Sequence, residues 1–443
     1  MTLLVTSAIP AMGIIIDQSD SLNCSLLEGG WYEEIDGVKI LHVSGSYYEM
    51  GYQHGSLISD MVNQNVRAAL ETYTQSIAFE DLLDLYDGLE SYIPQEIKDE
   101  MQGLADGSGL NFDDFAVVVV LDLVAHDLTA CVTGSAWDTA TVDGKLYHYR
   151  SQDFSMAIKD PVTGTYLHDN IILQVRKPDA GYSTIYPNYA GSLANYGGFN
   201  EEGITIGHTT SWCMNDISNE GMPQGIRIKW ALEKSSNINE AIDIINSNET
   251  RGYNFIISTA EEKTAKIIES SATNSYIGTW DNPEESNAPY ESIENIVRRS
   301  NLFISKPMAD LQRERYNPTN FIKWLITPLT KILGKYDDYK YEYFIESRHY
   351  QLMSKELKNN WGNHDLNSIM DLLRSVYRGD QDFLMKLLKK VMPYRSYTTD
   401  LYQWVVCPET NEFVISFVDG QTSAHENNVH NFNMIDLWNA TPP

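Results

Sequence analysis

A tight-turn signal about one third of the way along the chain does most to limit how it can fold. Two strand-like runs, 135–142 and 145–151, flank Asp143-Gly144, a dipeptide that strongly predicts a β-hairpin. Further strand-like runs lie at 38–43, 171–175, 204–208, 255–258 and 265–270, and a second hairpin is predicted from 403–407 and 412–417. The strands are grouped rather than strictly alternating with helices, which favours antiparallel sheets covered by helices over a doubly wound parallel sheet.

Helical periodicity accounts for much of the remaining chain. It predicts helices at 49–74, 95–104, 233–246, 347–358 and 366–377, with the glycine-containing segment 103–107 ending the second. The apolar run 115–124 is expected to be buried, but its pattern fits a helix and a strand equally well. Residues 281–343 are predicted to be an irregular insertion with one amphipathic piece at 321–333.

The charge balance excludes one broad class of partner. The chain has 32 Lys+Arg against 61 Asp+Glu, a formal net charge of −29. Nucleic acids and anionic membranes are bound by clusters of Lys and Arg, so neither is an expected partner. Lys39, Arg67 and Lys98 are the only basic residues before residue 131, so the acidic excess is concentrated there.

The number and spacing of the four cysteines argue against a disulfide framework and against a structural zinc site. They are too few for a disulfide framework in 443 residues, and none has the Cys-x-x-Cys or Cys/His spacing that predicts zinc. We therefore predict no metal and no cofactor. The sequence also has no run of 18 apolar residues that would predict a transmembrane helix.

The apolar segment 3–16 leaves the cellular compartment open. One interpretation is the remnant of a signal sequence, since small residues follow an apolar stretch, and it implies a secreted or extracytoplasmic protein. The other interpretation is a buried first strand of a cytoplasmic protein.

Cys131 stands at the start of the first hairpin, and charged residues return towards it on the second strand. A two-residue turn at Asp143-Gly144 would pair Arg150 with Trp137, on the face of Cys131, and would put Asp153 on the other face. A cation beside a thiol favours the thiolate, so Arg150 would activate Cys131. The alternative is an ordinary core cysteine near a structural ion pair, because free Cys is among the most buried residue types.

This arrangement resembles a family of self-cleaving enzymes. Cys131 followed by Arg150-Ser151-Gln152-Asp153-Phe154 is similar to the nucleophile hairpin of the acyl-CoA:6-aminopenicillanic acid acyltransferase-like and choloylglycine hydrolase-like group of N-terminal nucleophile hydrolases. Residues 48–55 resemble the family's Gly-x-Gln-x-Gly helix opening, and 198–203 resemble its Asn-Glu-x-Gly turn. The resemblance covers nearly the whole chain. It implies a four-layer αββα sandwich, in which two packed antiparallel sheets lie between helices.

The resemblance also implies that the chain is cut between Ala130 and Cys131. Residues 1–130 and 131–443 would then be two chains that stay associated in one body. The new α-amino group of Cys131 would serve as the base, since its reference pKa is about 7.7–8.0. Asp153 would hold that group, and Arg150 would favour the thiolate. The sequence departs from the family pattern at Ala130, where Gly is common, and at Val132, where a small hydroxylic residue is usual.

Four further residues receive roles from the same resemblance. Asn254 matches a side-chain amide of the oxyanion hole, and Arg348 matches an arginine beside the nucleophile. Ser347 and Asn200 are assigned to substrate binding. An N-cap is the alternative for Ser347, and a turn residue with left-handed geometry is the alternative for Asn200.

The implied function is hydrolysis of a linear amide, or acyl transfer from it, through a Cys131 thioester. A small-molecule amide with a hydrophobic acyl group is the leading substrate class, and a phospholipase B-like or N-acyl-lipid amidase activity is the alternative within the same fold. Two other classes stay open. One is a Cys–His thiol peptidase that uses His126 or His54, and the other is a non-enzymatic, acidic, secreted protein.

Overall fold

The computed structural model describes residues 25–124, 130–211, 213, 215–286, 290–312, 344–379 and 398–442. The segment 3–16, the amphipathic piece 321–333, Cys24 and His126 lie outside these ranges, so the predictions made for them stay predictions.

The described residues form strands in the following order along the chain: β1 Trp31–Ile35, β2 Val38–Gly45, β3 Ala130–Asp138, β4 Gly144–Ser155, β5 Ile171–Pro178, β6 Thr184–Tyr189, β7 Gly197–Asn200, β8 Ile204–Thr210, β9 Tyr253–Thr259, β10 Thr264–Ser270, β11 Ser275–Gly278, β12 Ile296–Arg299, β13 Thr398–Cys407, β14 Glu412–Phe417 and β15 His430–Asn433. The α-helices are α1 Tyr47–Leu57, α2 Ser59–Thr74, α3 Phe79–Leu89, α4 Gln95–Ser108, α5 Phe112–Val120, α6 Gln224–Lys234, α7 Ile238–Ile245, α8 Lys306–Ala309, α9 Phe344–Asn359, α10 Leu366–Gly379 and α11 Met434–Asn439. Short 3-10 helices occur at Glu90–Tyr92, Leu121–Leu123, Leu167–Asn170, Pro283–Ser286 and Ala424–Glu426.

The strands build two sheets. The first sheet has the order β1-β2-β5-β6-β7-β8-β9-β10-β11, and the second has the order β12-β3-β4-β13-β14-β15. All neighbours are antiparallel except β2 and β5, which run parallel. Because β1 and β2 precede residue 130 and share a sheet with later strands, the two predicted segments of the chain fold into one body.

The two sheets pack face to face between layers of helices. β3 and β4 contact β8, while α6 and α7 cover the outer face of the first sheet and α9 and α10 cover that of the second. Strand β13 illustrates the two-residue period, because Trp404 and Val406 enter the core between the sheets whereas Val405 faces the helices. The predicted αββα sandwich is therefore confirmed.

Several predicted elements have different limits in the structure. The predicted helix 49–74 is two helices that meet at Ile58, and the predicted helix 233–246 is also two, because Asn237 caps a new helix with its side chain. The undecided run 115–124 is mainly the helix Phe112–Val120. The insertion 281–343 is not wholly irregular, since Ile296–Arg299 forms the edge strand of the second sheet.

Helix α4 does not end at its glycines, as predicted, but continues to Ser108 and ends at Gly109 in a left-handed conformation. Gly103 is needed for close packing instead. A Cβ there would lie 2.0 Å from the carbonyl oxygen of Tyr48 in α1, and one on Gly51 would lie 2.1 Å from that of Glu100. Only glycine lets the two helix backbones approach this closely.

A buried ion network joins the segments before and after residue 130. Glu100 in α4 binds Arg176 at 2.8 Å and Lys229 at 2.5 Å, and Arg176 also binds Glu233 at 2.8 Å. All four side chains are at most 1% exposed. Removing one partner would leave a buried charge unpaired, so the network ties the leading segment to the rest of the molecule.

Candidate active site

The hairpin of β3 and β4 positions Cys131, but in a different register from the one predicted. Cys131 lies opposite Gln152, and Thr133 lies opposite Arg150. A bulge between Ala136 and Asp138 and a longer connection, which includes Asp143, replace the predicted two-residue turn. The register prediction is wrong. Arg150 nevertheless lies on the same face as Cys131, and Asp153 lies on the other face, as predicted. The observed pairing is shifted by an even number of positions, which leaves each side chain on its predicted face.

Arg150 is a buried cation beside the thiol. Its side chain is 0% exposed, and Nη2 lies 3.6 Å from Cys131 Sγ. Nε donates to the carbonyl oxygen of His208 at 3.1 Å, and Nη2 also donates to Gln152 Oε1. Within the described ranges no carboxylate pairs with Arg150. Since a buried charge without a partner is costly, the guanidinium favours an anion at Sγ.

The thiol itself is protonated in the uncleaved chain. Burial raises the pKa of Cys131 to about 11, although the neighbouring Arg150 opposes that rise. Gln152 Oε1 lies 3.7 Å from Sγ and accepts a hydrogen bond from the thiol. Sequence reasoning missed Gln152, which occupies a variable position of the Arg-x-x-Asp pattern. Repeated attack on substrate molecules at neutral pH would need an additional base close to Sγ.

Asp153 lies across the strand pair from Ala130, with its carboxylate on the face opposite to Cys131 Sγ, as predicted. Oδ1 accepts from the hydroxyl of Tyr377 at 2.7 Å and from Ser151 Oγ at 3.2 Å. Burial raises the pKa of Asp153 to about 7, and the charge of Asp400 contributes in the same direction. A cation that formed beside Asp153 would therefore gain a partner that ionises readily near neutral pH.

The backbone nitrogen of Cys131 has a partner that sequence reasoning missed. It donates to Asn301 Oδ1 at 2.5 Å, and Asn301 Nδ2 donates in turn to the carbonyl oxygen of Thr210 at 2.9 Å. Asn301 follows the edge strand β12, which pairs with β3. Its contact joins residues 170 positions apart, so no local pattern in the sequence could identify it.

The segment that carries Asn301 is held rigidly. Asn254 Nδ2 donates at 3.0 Å to the carbonyl oxygens of Ser300 and Leu302, on either side of Asn301. Farther out, the buried Glu269 binds Arg299 Nε at 2.8 Å and Ser305 Oγ at 2.6 Å. In this uncleaved chain the Asn254 amide is thus used to fix Asn301, and its predicted oxyanion role stays a prediction.

The structure does not bring all the other predicted residues to Cys131. Asn200 is the last residue of β7, and its Oδ1 accepts from the backbone nitrogens of Glu202 and Ile204 in and after the β7–β8 turn. This agrees with the turn alternative, although Gly203 rather than Asn200 takes the left-handed conformation, with φ +78°. Ser347 and Arg348 lie within helix α9, which begins at Phe344, and their side chains are outside the described part of the chain. Their predicted roles stay predictions.

Two histidines bear on the Cys–His alternative. His54 is buried and accepts from the backbone nitrogen of Gly191 at 3.0 Å, and burial lowers its pKa to about 3. His208, which sequence reasoning did not single out, stands next to Arg150. Its Nδ1 lies 2.8 Å from the Tyr196 carbonyl oxygen, which only accepts, and 3.1 Å from Arg150 Nη2, which only donates, so these contacts do not fix which ring nitrogen carries the proton. Burial lowers the pKa of His208 far below its usual range, which favours the neutral ring.

A mostly apolar cavity opens beside Sγ. It is lined by Asn65, Val66, Ala69, Tyr73, Val118, Leu121, Asp122, Cys131, Gln152, Phe154, Leu167, Tyr189, Ala190, Gly191, Ser192, Tyr196, His208, Thr210, Gln224 and Tyr253. Residues before and after position 130 both contribute, so the cavity requires the two segments together. Cys213 and Cys407 are also buried, but they are not among its lining residues.

Within the described residues no cluster of His, Cys, Asp and Glu is suited to hold a metal ion. No helix in the same ranges is long and apolar enough to cross a membrane.

Comparison with known families supports the resemblance. Residues 142–320 match the model of the family described as acyl-coenzyme A:6-aminopenicillanic acid acyl-transferase. The match confirms the family resemblance over this region, which contains Arg150, Asp153, Asn254 and Asn301 but begins after Cys131.

Three relatives share between 23% and 28% identity with the chain. An uncharacterized protein of Archaeoglobus fulgidus is 28% identical over 205 residues, which are 39% of this chain and 32% of that protein. Protein dcd1B of Dictyostelium discoideum is 23% identical over 54% of this chain and 51% of its own, and protein dcd1A is 24% identical over 59% and 65%. The chain thus spans from about one third to just under two thirds of the relatives' own length.

Solved structures give a partial likeness. A variant of the conjugated bile acid hydrolase of Clostridium perfringens is 14% identical, with a TM-score of 0.36, and covers 69% of this chain and 93% of its own. The Caenorhabditis elegans N-acylethanolamine-hydrolyzing acid amidase orthologue is also 14% identical, with a TM-score of 0.36 and coverage of 63% and 93%. Penicillin V acylase from Agrobacterium tumefaciens is 11% identical, with a TM-score of 0.38 and coverage of 69% and 87%.

Proposed function

We propose that the chain is a self-cleaving cysteine hydrolase or acyltransferase of the N-terminal nucleophile type, which acts on linear amides. The observation that carries the proposal is the pair of contacts at Cys131. Sγ lies 3.6 Å from a buried guanidinium that has no carboxylate partner among the described residues, and the backbone nitrogen lies 2.5 Å from Asn301 Oδ1. The thiol and the nitrogen of one residue thus both have partners suited to catalysis.

Self-cleavage would create the missing base. Sγ adds to the carbonyl carbon of Ala130, the C–N bond to Cys131 breaks, and the nitrogen takes the thiol proton. This gives a thioester to Ala130, and water then hydrolyses the thioester to the Ala130 carboxylate and a free thiol. Before cleavage the nitrogen is an amide with no basicity, whereas afterwards it is an α-amine with a reference pKa of about 7.7–8.0.

In the cleaved enzyme the α-amine would take the proton of the Cys131 thiol, and the resulting thiolate would attack the substrate carbonyl. It would then return the proton to the leaving amine, and the acyl group would remain on Sγ as a thioester. Asn301 Oδ1 would accept from the ammonium form, and Asp153 would compensate its charge, since burial gives that carboxyl a pKa of about 7. Arg150 would favour the thiolate, and Asn254 and Arg348 would support the oxyanion.

The apolar lining of the cavity supports a hydrophobic acyl group as the part of the substrate that lies beside Sγ. Transfer of the acyl group to water gives hydrolysis, and transfer to an amine or a thiol gives an acyltransferase. The same cavity also fits the alternative substrate class, in which the acyl group belongs to an N-acyl lipid or a phospholipid.

The test is to trap the acyl intermediate. Purified protein is mixed with a medium-chain acyl anilide, quenched in acid within milliseconds and digested, and the masses of the cysteine peptides are measured. We expect the acyl mass on a peptide whose first residue is Cys131, and none on the peptide that contains Cys213. An acyl group on another residue, or turnover by a Cys131→Ala variant, would contradict the proposal.

A further inference from the structure

One carboxylate in the cavity has no part in the chemistry proposed above. Asp122 follows helix α5 in the 3-10 helix Leu121–Leu123, and it is the only charged residue among the described residues that line the cavity. The other lining residues beside it are apolar or neutral. A carboxylate in such surroundings is costly to keep unless a partner compensates it.

Only one of the two carboxylate oxygens of Asp122 has a hydrogen-bond partner among the described residues. Oδ1 accepts from the hydroxyl of Tyr196 at 2.8 Å. Oδ2 is buried and has no hydrogen-bond partner, and no Lys, Arg or His of the described residues forms an ion pair with the carboxylate. Rotation about the terminal torsion exchanges the two oxygens at low cost, so either oxygen can turn towards a ligand in the cavity.

The position of Asp122 relative to Cys131 follows from the side chains between them. The Tyr196 ring, whose hydroxyl binds Asp122, stacks on His208 with ring centroids 5.9 Å apart. His208 adjoins Arg150, which contacts Sγ. One phenol ring, one imidazole and one guanidinium thus separate the nucleophile from the carboxylate. Arg150 places positive charge behind Cys131, and Asp122 places negative charge in the cavity wall.

We propose that Asp122 binds a protonated amine on the acyl chain of the substrate, so that the site selects amides whose acyl group ends in a cation. This inference rests on the proposed function. An acyl chain that reaches from Sγ along the Tyr196 ring would pass apolar side chains and then meet the carboxylate. The ammonium would supply the donor that Oδ2 lacks, and the desolvated pair would be stronger than the same pair in water.

The matched substrates are two series of acyl anilides of equal chain length, one ending in a primary amine and the other in a methyl group, such as 6-aminohexanoyl and heptanoyl. With the self-cleaved protein at pH 7.5, we expect the best amino-terminated member to exceed its methyl partner in kcat/KM by about 10- to 100-fold. Asp122→Asn should reduce that ratio to near one. Asp81→Asn, on the exposed side of helix α3, is the control and should keep the wild-type ratio.

A pH series tests the inference without any variant. Burial raises the pKa of Asp122 to about 6, so the ratio should fall as the carboxyl becomes protonated below that pH. Among the described residues, the other titratable groups that face Asp122 are the phenols of Tyr73, Tyr196 and Tyr253, whose pKa values lie above the ordinary tyrosine value because of burial. They stay neutral throughout the series.

Binding can be measured apart from turnover. Hexylammonium should raise the melting temperature of the wild-type protein more than 1-hexanol does, and Asp122→Asn should remove that difference. Equal kcat/KM values for the two series, a preference for a neutral hydroxyl-terminated chain, or an unchanged ratio in Asp122→Asn would overturn the inference. Absence of both self-cleavage and the Cys131 thioester would instead contradict the proposed function, so the two failures can be told apart.

Discussion

Replacement of Asn301 by alanine tests whether the nitrogen of Cys131 is part of the chemistry. The change removes the acceptor of the Cys131 N–H at 2.5 Å and the donor to Thr210 at 2.9 Å. During self-cleavage the nitrogen changes from a neutral amide to an ammonium. A hydrogen bond to a charged group contributes about 1.5–3 kcal/mol and a neutral one about 0.5–1.5 kcal/mol, so the contact should strengthen by about 1–1.5 kcal/mol.

That difference corresponds to about a tenfold slower cleavage in Asn301→Ala. The protein is produced by cell-free synthesis, sampled over time and analysed by intact mass to give the half-life of the uncut chain. The variant also leaves two buried groups without partners, which should cost about 2–6 kcal/mol of stability. Asn200→Ala is the matched control, because Asn200 also makes buried hydrogen bonds but at a distance from Cys131.

We expect Asn200→Ala to lose comparable stability and to cleave at the wild-type rate. If Asn301→Ala cleaves as fast as the wild type, or if both variants slow equally, the assigned role of Asn301 in the reaction is refuted.

Three further predictions concern buried charges. Arg150→Leu should raise the pKa of Cys131 further, so the rising, acidic limb of the kcat/KM profile should move to higher pH, whereas Arg150→Lys should retain most of the wild-type profile. An unmoved acidic limb in Arg150→Leu would argue against thiolate stabilisation. Glu100→Gln should leave Arg176 underpaired and lower the free energy of unfolding by about 3–5 kcal/mol, as measured with urea; a loss below 1 kcal/mol would contradict this. Burial raises the pKa of Asp153 from 3.8 to about 7, so its ionisation disfavours the folded state. The uncleaved Cys131→Ala protein should lose on the order of 4 kcal/mol between about pH 4 and 7, and the added change Asp153→Asn should remove most of that loss in urea titrations at each pH.

The sequence predicted the layers of the fold well and its local geometry less well. The grouping of strands was sufficient to predict antiparallel sheets covered by helices, and the family resemblance added the four-layer αββα order. The Asp143-Gly144 signal correctly predicted a hairpin, but the register was wrong. Its connection is held by a contact outside the hairpin, from the backbone nitrogen of Val142 to the carbonyl oxygen of His364 at 3.0 Å.

In the candidate site, too, residues close together on one hairpin could be predicted, whereas residues brought in by distant contacts could not. Cys131, Arg150 and Asp153 lie on one hairpin, so their proximity could be predicted from spacing. Asn301 depends on the pairing of an edge strand from the predicted insertion with β3, which no local pattern encodes. Sequence analysis did not single out Asp122, because a buried acidic residue in an apolar run cannot be distinguished in the sequence from an acidic residue exposed to solvent.

The central claim is that Cys131 becomes the N-terminus of a second chain through its own thiol, and intact masses test it most directly. We predict that the wild-type protein gives two fragments, one ending at Ala130 and one starting at Cys131. Cys131→Ala should give a single uncut chain, and Cys213→Ala, which changes a buried cysteine outside the cavity, should be cut like the wild type. A single uncut chain in all three proteins, or cutting that persists in Cys131→Ala, would contradict the account.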